Sequence, residues 1–340
     1  MNKANLPYCS VIILNYYGEK VIRQTLDSLL RLNYPPENYE IIVVDNHSED
    51  NSKKIISELS KKNKRIRFFY LPENLGFSKG NNVGLSHAKG EYVALLNNDC
   101  IVDKSWLLEL VKTAEKDRKI FAVNSKIYLR SSKKIQNAGI MVFQDGYGRD
   151  IGSIVEYGTQ SYETDTGQYN KEKEIYAACG AAVLYRKKLL EKIGFLDEMF
   201  FMYYEDVEIS ERARLHGYKT MYSPKAIAYH YHALSSKEWS PFFIYHSEKG
   251  RLLHVFYHLP LTVFIKEYFF FVIAAIGRYM KDLLLWKNIQ KNSQYVKISI
   301  FFIIYSPLLF IQRMNKHKKI INGSLSANYQ KILSGYWYFQ

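Results

Sequence analysis

The first hundred residues alternate short apolar runs with helical patterns, and this alternation restricts the fold more than any other feature of the sequence. The runs are YCSVIILNY, YEIIVVDNHS, IRFFYLPEN and GEYVALLNND, separated by helical patterns at residues 20–32, 52–62 and 78–88. Strands that are apolar on both faces and separated by helices are typical of a parallel sheet covered on both sides. The sequence therefore predicts an α/β domain with a nucleotide-binding architecture.

Polar residues end each predicted strand. Asn15 ends the first, Asp45 the second and Asn74 the third, while Asn97 and Asp99 end the fourth. Each of them could serve as a helix cap or a turn residue. Ligands of such sheets bind at the carboxyl ends of the strands. Four polar strand ends at one edge therefore favour a ligand site there.

The glycine pattern excludes the common phosphate loops. No GxGxxG follows the first strand and no GxxxxGK[ST] occurs, so the dinucleotide and P-loop readings lose their main support. Instead, NLGFSKGNNVGL follows the third strand. Gly76 permits close backbone approach there, and Asn82 lies near the opening of a helix whose N-terminus favours an anion.

The segment LLNNDC is a candidate metal site. An Asp at position 99 and the amide oxygen of Asn97 offer oxygen ligands from one short loop, as Mg²⁺ or Mn²⁺ prefers. The alternative is a capping Asp before a helix at residues 104–116.

The segment FFMYYEDVEISERARLHGYK sets the carboxylates Glu205 and Asp206 beside an aromatic wall of Phe200, Phe201, Tyr203 and Tyr204. Adjacent like charges and desolvation both disfavour ionisation of the pair. The alternative is an exposed acidic helix start, where the helix dipole favours anions.

In this order, VIILNYYG, IIVVDNHSED, NLGFSKGNNVGL, LLNND, GFLDEMFFMYYEDVEISERARLHGYK and AIAYHYHALSS resemble the inverting family 2 glycosyltransferases, particularly their rhamnosyltransferase-like branch. The resemblance spans about residues 8 to 260. It implies a glycosyltransferase A-type fold, a mostly parallel sheet flanked by helices, that binds a nucleotide diphosphate sugar. We therefore expect a catalytic domain at residues 1–250 and a C-terminal α-helical extension at 251–340.

The resemblance also implies roles for the donor-binding residues. Asn15 and Asp45 would line the pocket for base and ribose, and Asn74, Gly76 and Asn82 would hold the nucleoside. Asp99 would be the metal ligand of the family's D-x-D motif, in which this chain has Asn97 at the first Asp position.

The remaining implied roles concern chemistry on the sugar. Asp206 would be the general base that takes a proton from the acceptor hydroxyl, with Glu205 orienting the acceptor or raising the pKa of Asp206. His230, rather than His232, would complete the metal or diphosphate site. Lys249 and Arg251 would face phosphates, although a solvated helix face is the equal alternative for both.

Two C-terminal stretches are apolar but are interrupted by Lys266, Glu267, Arg278 and Pro307. Each uninterrupted run is shorter than the roughly 18 to 20 residues that cross a bilayer. They are typical of amphipathic helices in a membrane interface, with basic residues on anionic headgroups. A helical subdomain or a homodimer interface is the alternative.

The formal charge of +14 is compatible with an anionic membrane or phosphorylated ligands, while the acidic cluster argues against nucleic acid. The N-terminus lacks a signal-peptide pattern, so we expect a cytoplasmic protein, peripheral on the inner face of the membrane. No Q-x-x-R-W occurs, which by family analogy indicates transfer of single sugars, such as rhamnose, to a surface-polysaccharide or lipid-linked acceptor. A noncatalytic carbohydrate- or nucleotide-sugar-binding protein is the alternative.

Overall fold

A computed structural model describes residues 6–156, 159–231, 239–285 and 288–322. The first part of the chain forms β1 (Cys9–Asn15), α1 (Ile22–Leu30), β2 (Tyr39–Asp45), α2 (Ser52–Lys62), β3 (Ile66–Tyr70), α3 (Gly76–His87), β4 (Tyr92–Leu96), β5 (Cys100–Val102) and α4 (Trp106–Ala114). The middle part forms β6 (Ile120–Leu129), β7 (Ile135–Asn137), β8 (Ile140–Val142), β9 (Gly148–Asp150), β10 (Ser153–Glu156), β11 (Thr159–Tyr162), β12 (Lys173–Ile175) and β13 (Ala182–Arg186). The last part forms α5 (Lys187–Ile193), α6 (Glu205–Leu215), β14 (Lys219–His230), α7 (Pro241–His258), α8 (Leu261–Leu285) and α9 (Ile289–Asn322).

The predicted alternation of strands and helices is confirmed in the first hundred residues. All four predicted strands form, and α2 has the bounds that the sequence pattern indicates. Helix α3 begins two residues earlier than predicted, at Gly76. Helices α1 and α4 are each about one turn shorter than predicted, and both end in backbone turns, at Arg31 and Glu115.

One large sheet has the strand order β12-β14-β6-β13-β4-β1-β2-β3, with β5 paired to β14 and β7 to β6. The strands from β4 through β1 and β2 to β3 are parallel, whereas β13 is antiparallel to both β4 and β6. The sheet is therefore mixed. Its parallel part directs the ends of β1, β2 and β4 to one edge, as the sequence predicts.

Helices α7, α8 and α9 pack together around a separate apolar core. Phe256 and Tyr257 from α7 meet Phe271 from α8 and Phe302 from α9 in this cluster. Helix α7 also contacts α6, so it joins the helical layer to the sheet domain. The predicted domain boundary between residues 250 and 251 falls within α7.

Pro307 lies inside the 34-residue helix α9 and does not end it. Within this helix, Ile289–His317 is long and apolar enough to cross a membrane by length and composition, with 33% of its most apolar window buried. Without interruption this stretch is short, as expected, but the helix reaches the length that spans a bilayer when its interruptions are included. Pro307 interrupts the apolar run in the sequence, but helix α9 continues through it, as helices in apolar surroundings can.

A buried charge cluster ties α6 to the other helices. Glu208 of α6 accepts hydrogen bonds from Arg212 at 2.7 Å, from Lys316 of α9 at 2.8 Å and from His258 of α7 at 3.2 Å. Lys316 also pairs with Asp197 at 2.7 Å. Burial opposes ionisation of Glu208, but Arg212 and Lys316 outweigh it and hold the pKa of Glu208 well below its ordinary value. The cluster therefore fixes the helix whose first turn carries Glu205 and Asp206.

Candidate active site

A cavity of about 800 Å³ opens at the carboxyl edge of the parallel strands. Seven of the residues that the sequence proposes for the site line its wall: Asn74, Gly76, Asn97, Asp99, Glu205, Asp206 and His230. Five others lie outside the wall: Asn15, Asp45, Asn82, Lys249 and Arg251. His232 lies outside the described residues. The structure thus brings the proposed metal ligands and the proposed carboxylate pair to one cavity.

Asn15 and Asp45 form a hydrogen-bonded group beneath the cavity. Asn15 Nδ2 donates to Asp45 Oδ2 at 2.6 Å and to Ser52 Oγ at 2.9 Å, and Asn98 Nδ2 donates to Asn15 Oδ1 at 3.0 Å. Both Asn15 and Asp45 are fully buried. These two residues hold together the loops next to the cavity; their predicted contacts with base and ribose stay a prediction.

Asn46 joins Asn74 in the wall next to the glycine loop. Asn46 Nδ2 donates to Asn74 Oδ1 at 2.8 Å, and Asn46 Oδ1 accepts from the Leu75 N–H at 2.8 Å. Asn74 Oδ1 also accepts from the Gly76 N–H at 2.9 Å. Asn46 directly follows Asp45, the last residue of β2. The geometry makes it the side chain that orders the loop.

The glycine loop is fastened to the segment before α6. The Phe77 N–H donates to the Phe201 carbonyl at 2.6 Å, and Asn82 Nδ2 donates to the Leu196 carbonyl at 2.9 Å. Gly76 has a φ of +77°, and a Cβ there would lie 2.5 Å from the Phe201 carbonyl oxygen. Glycine is therefore required at position 76. Asn82 links α3 to the segment before α6 and does not line the cavity.

Asp99 and His230 approach each other where β4 ends and β14 ends. Asp99 Oδ1 lies 2.9 Å from His230 Nε2, while His230 Nδ1 lies 2.8 Å from Gln136 Oε1. Because a carboxamide oxygen only accepts, Gln136 places the proton of a neutral ring on Nδ1 and leaves the Nε2 lone pair facing Asp99. Two ligand atoms converging in this way fit a bound cation.

Cys100 is the third group of this cluster, with its ligand atom within 4.8 Å of those of Asp99 and His230. Its thiol is fully buried and lies 3.6 Å from the Ala181 carbonyl oxygen. Burial, and then the charge of Asp99, raise the pKa of Cys100 well above its ordinary value. A protonated thiol is a poor ligand for Mg²⁺ or Mn²⁺. Asp99 and His230 are therefore the residues that would hold the metal, with the Asn97 amide 3.4 Å from His230 Nε2.

Glu205 and Asp206 differ in their hydrogen bonds although they are adjacent. Asp206 accepts from the Val207 N–H at 2.8 Å and from the Gly180 N–H at 3.1 Å. Glu205 is 5% exposed, and its Oε2 is buried without a hydrogen-bond partner. The alternative of an exposed acidic helix start is therefore wrong for Glu205.

These surroundings separate the protonation states of the two carboxyl groups. Burial, and then the charge of Asp206, raise the pKa of Glu205 well above its ordinary value. Burial also raises the pKa of Asp206, but the two backbone N–H groups oppose that rise. The surroundings therefore favour the neutral form of Glu205, while the backbone N–H groups support the ionised form of Asp206.

The turn before the pair is strained. Tyr203 and Tyr204 both have positive φ angles, +68° and +70°, which non-glycine residues rarely adopt. The Gly148 N–H donates to the Tyr204 hydroxyl at 3.0 Å, and Gly250 of α7 packs against the turn. A Cβ at Gly250 would lie 2.9 Å from Tyr204 Cβ and 3.0 Å from the Tyr203 carbonyl oxygen. Gly250 therefore leaves room for a turn that aims Glu205 and Asp206 at the cavity.

We expect Gly250→Ala to lower the free energy of unfolding by about 1–3 kcal/mol, because the added methyl group overpacks the strained turn. Turnover of the donor should fall as well, since the carboxylate pair follows that turn directly. Gly277→Ala is the matched control, because no atom lies within 4 Å of a Cβ built there and alanine favours the α8 helix. Thermal denaturation and nucleotide release measure both effects. Equal behaviour of the two variants would contradict the role of Gly250.

The aromatic wall divides between two environments. Phe201, Tyr203 and Tyr204 line the cavity, whereas Phe200 is buried among the C-terminal helices, 6.4 Å from the ring of Tyr257. Further aromatic residues in the wall include Tyr147, Trp239, Phe242, Phe243 and Tyr295. No sequence pattern indicated these five, because they come from loops and helices far apart in the chain.

Lys249 and Arg251 contact protein groups instead of the cavity. Lys249 Nζ donates to the Met199 carbonyl at 3.2 Å, and burial lowers the pKa of Lys249. Arg251 binds Glu248 at 3.1 Å and the Asp145 carbonyl at 2.8 Å. Among the described residues of the wall, Arg149 is the one arginine or lysine.

Solved structures with the same fold are bound to nucleotide sugars. TarS 1-349 of Staphylococcus aureus, in complex with UDP-GlcNAc, superimposes with a TM-score of 0.55 at 20% identity over 97% of this chain and 91% of that one. The mannosyltransferase PcManGT of Pyrobaculum calidifontis, in complex with GDP-Man and Mn²⁺, gives 0.55 at 15% identity over 88% of each chain. The protein therefore has the glycosyltransferase A-type fold.

Curated relatives match the sheet domain. The poly-beta-1,6-N-acetyl-D-glucosamine synthase of Staphylococcus epidermidis is 27% identical over 65% of this chain and 49% of its own length. The chain spans between a quarter and about half of the length of the curated relatives that it matches. The glycosyl transferase family 2 model matches residues 10–194, and the chain belongs to that family. This range contains Asp99 but ends before Glu205, Asp206 and His230.

Proposed function

We propose that the protein is a metal-dependent inverting glycosyltransferase that moves a single sugar from a nucleotide diphosphate donor to a glycan acceptor. The observation that carries the proposal is the meeting of Asp99 and His230 with Glu205 and Asp206 in one cavity. A binding protein of the same fold would need neither the metal ligands nor a carboxylate with raised pKa. The family and its neighbours support transfer from a nucleotide sugar.

Asp206 is the general base of the proposed reaction. It takes the proton of the acceptor hydroxyl while that oxygen bonds to the anomeric carbon from the face opposite the diphosphate, whose bond to the sugar breaks. The Gly180 and Val207 N–H groups hold Asp206 in place and favour its ionised form. Its raised pKa makes it a stronger base than an exposed aspartate.

Glu205 acts as a neutral hydrogen-bond donor in this proposal. Its protonated carboxyl has an unpartnered oxygen beside the cavity, so it can bind and orient an acceptor hydroxyl without competing for the proton. The proposed reaction needs an ionised Asp206 next to a neutral Glu205. The different surroundings of the two carboxyl groups favour these two states.

The leaving diphosphate requires positive charge. Asp99 and His230 would hold Mg²⁺ or Mn²⁺, which supplies that charge when bound. Asn97 in place of a first aspartate reduces the negative charge of the ligand set, so the metal should bind more weakly than at two carboxylates. Asn46, Asn74 and Gly76 line the side of the cavity where the nucleoside would lie.

The number of sugars transferred, the sugar and the type of acceptor are inferred from the resemblance and from the absence of the Q-x-x-R-W motif in the sequence. We infer that one sugar, such as rhamnose, is added per acceptor, and that the acceptor is a surface-polysaccharide or lipid-linked glycan. Because nucleotide sugars are cytoplasmic donors, the active site would face the cytoplasm.

A donor panel tests the proposal. We expect one of UDP-GlcNAc, UDP-galactose, GDP-mannose and dTDP-rhamnose to release its nucleotide diphosphate with Mn²⁺ or Mg²⁺, and release to stop with EDTA. An anomeric configuration opposite to that of the donor in the product would support inversion. Nucleotide-sugar binding without release from any donor, even with a lipid-linked acceptor present, would indicate the noncatalytic alternative.

A further inference from the structure

Helices α8 and α9 expose a broad apolar face. Six of its residues are between 56% and 78% exposed: Ile265, Phe269, Leu284, Ile303, Ile304 and Ile311. Ile265, Phe269 and Leu284 lie four and fifteen residues apart in α8, and Ile311 lies seven and eight residues after the adjacent Ile304 and Ile303 in α9. At about 3.6 residues per turn, each set therefore lies along one side of its helix. Exposed apolar surface of this extent marks an interaction site.

The two helices that carry this face are predominantly basic. Residues 261–322 contain ten lysines and arginines against two acidic residues, Glu267 and Asp282, although Arg313 and Lys316 among the ten contact the protein. Lys266, Arg278 and Lys281 on α8 are exposed. Apolar residues flanked by lysine and arginine match a bilayer interface that contains anionic lipid. Two copies of this chain would bring like charges together at the same face, which disfavours a dimer.

The opposite sides of the two helices are held by the protein. Ile298, Phe302 and Leu309 of α9 are buried in the helical core. Arg313 donates to the carbonyls of Phe256 and Leu259, and Lys316 is paired with Glu208. A helix tied to the domain along its length presents one face to lipid, which fits a helix lying in the interface and not one surrounded by acyl chains.

The beginning of α9 reaches the cavity. Tyr295 of α9 contributes to the cavity wall, and Lys291 of α9 lies 5.8 Å from the ring of Trp239 in the same wall. Leu284, the most exposed of the six residues, lies at the end of α8 that leads into α9. The cavity therefore opens beside the end of the helix pair.

We propose that the α8–α9 face docks on the surface of a bilayer containing anionic lipid, and thereby brings the cavity to a membrane-borne acceptor. The acceptor part of this inference rests on the proposed function, whereas docking does not. Docking selects acceptors whose glycan begins at the lipid headgroup region. The aromatic wall next to Tyr295 would then receive the sugars nearest the membrane.

Vesicle cosedimentation tests docking with the full chain. We expect binding to phosphatidylcholine vesicles containing phosphatidylglycerol, and weaker binding to phosphatidylcholine alone or in high salt. Ile304→Glu should lower the partition coefficient at least about tenfold, and Ile303→Glu with Ile304→Glu more, because each removes an apolar side chain from lipid. Ile154→Glu, which adds the same charge to an exposed isoleucine of β10, should bind as the wild type does.

Two results would overturn docking: no sedimentation of the wild type with either vesicle, or sedimentation that the Ile303 and Ile304 substitutions leave unchanged. A wild-type dimer that these substitutions convert to monomer, without vesicle binding, would assign the face to a second copy. Release of nucleotide from the soluble donor is measured on the same samples, with a lipid-linked acceptor added to them. Vesicle binding without release would refute the proposed function and leave docking standing, and release without vesicle binding would do the reverse.

Discussion

Asp206→Asn should lower the rate constant of sugar transfer by about 10²–10⁴-fold, the usual contribution of a positioned general base. An amide keeps the shape of the side chain but cannot take the acceptor proton. The donor KM should change little, because Asp206 lies at the start of α6, whereas the proposed nucleoside side of the cavity is lined by Asn46, Asn74 and Gly76. Steady-state transfer to an acceptor, with product analysis, measures both constants.

Glu205→Gln is the matched control for this substitution. Because burial and the charge of Asp206 raise the pKa of Glu205 well above its ordinary value, glutamine reproduces the neutral form that the surroundings favour, and the rate should stay within about tenfold of the wild type. If Glu205→Gln lowers the rate of transfer more than Asp206→Asn does, Glu205 would be the general base and Asp206 the group that orients the acceptor.

The rate should also depend on pH through the same group. Only ionised Asp206 accepts a proton, so transfer rises as the pH passes upward through its pKa. Burial raises that pKa, and the midpoint of the acidic limb should therefore lie above the ordinary value of about 3.9. A midpoint at or below that value would mean that another group limits the rate.

The regular part of the fold could be predicted because its signals are local. β-Branched runs gave β1 to β4, and the pattern of α2 gave both ends of that helix. The polar strand ends also identified one edge of the sheet. Hydrophobic periodicity and turn residues act over a few residues. Both signals are clear in this chain where the strands are buried on two faces.

The environment into which each side chain points could not be predicted from the same sequence patterns. Phe200 and Phe201 are adjacent, yet one is buried in the helical core and the other lines the cavity. Asn15 and Asn74 both follow strands, but only Asn74 reaches the wall, because Asp45 and Ser52 engage Asn15 below it. These outcomes depend on tertiary partners that lie 30 or more residues away.

The basic residues of α7 show the same limit. The pattern around Lys249 and Arg251 indicated either phosphate contacts or a solvated face, and both side chains are instead buried against protein carbonyls and Glu248. The charge of a side chain is known from the sequence, but the neutral or acidic groups that it contacts in the folded protein are not. The same reasoning applies to Lys316, whose partners Asp197 and Glu208 lie in other elements.

Asp99→Asn should raise the dissociation constant of Mn²⁺ by at least about 100-fold, since losing a ligand costs more than the 10- to 100-fold typical of its supporting groups. Asn97 already contributes a neutral amide, so the variant would have no carboxylate left in the segment NND. His230 alone, oriented by Gln136, would hold the ion weakly. Electron paramagnetic resonance of free Mn²⁺ measures this binding independently of activity.

Asp103→Asn is the control for this measurement, because Asp103 is an exposed aspartate near the same loop and caps the Ser105 N–H, which asparagine can also do. Its Mn²⁺ affinity should equal that of the wild type, whereas transfer by Asp99→Asn should fall and recover in part at high Mn²⁺. Unchanged Mn²⁺ affinity in Asp99→Asn would remove Asp99 from the ligand set. The 2.9 Å approach to His230 would then be an ion pair within the cavity wall, and the charge on the diphosphate would have to be met by Arg149.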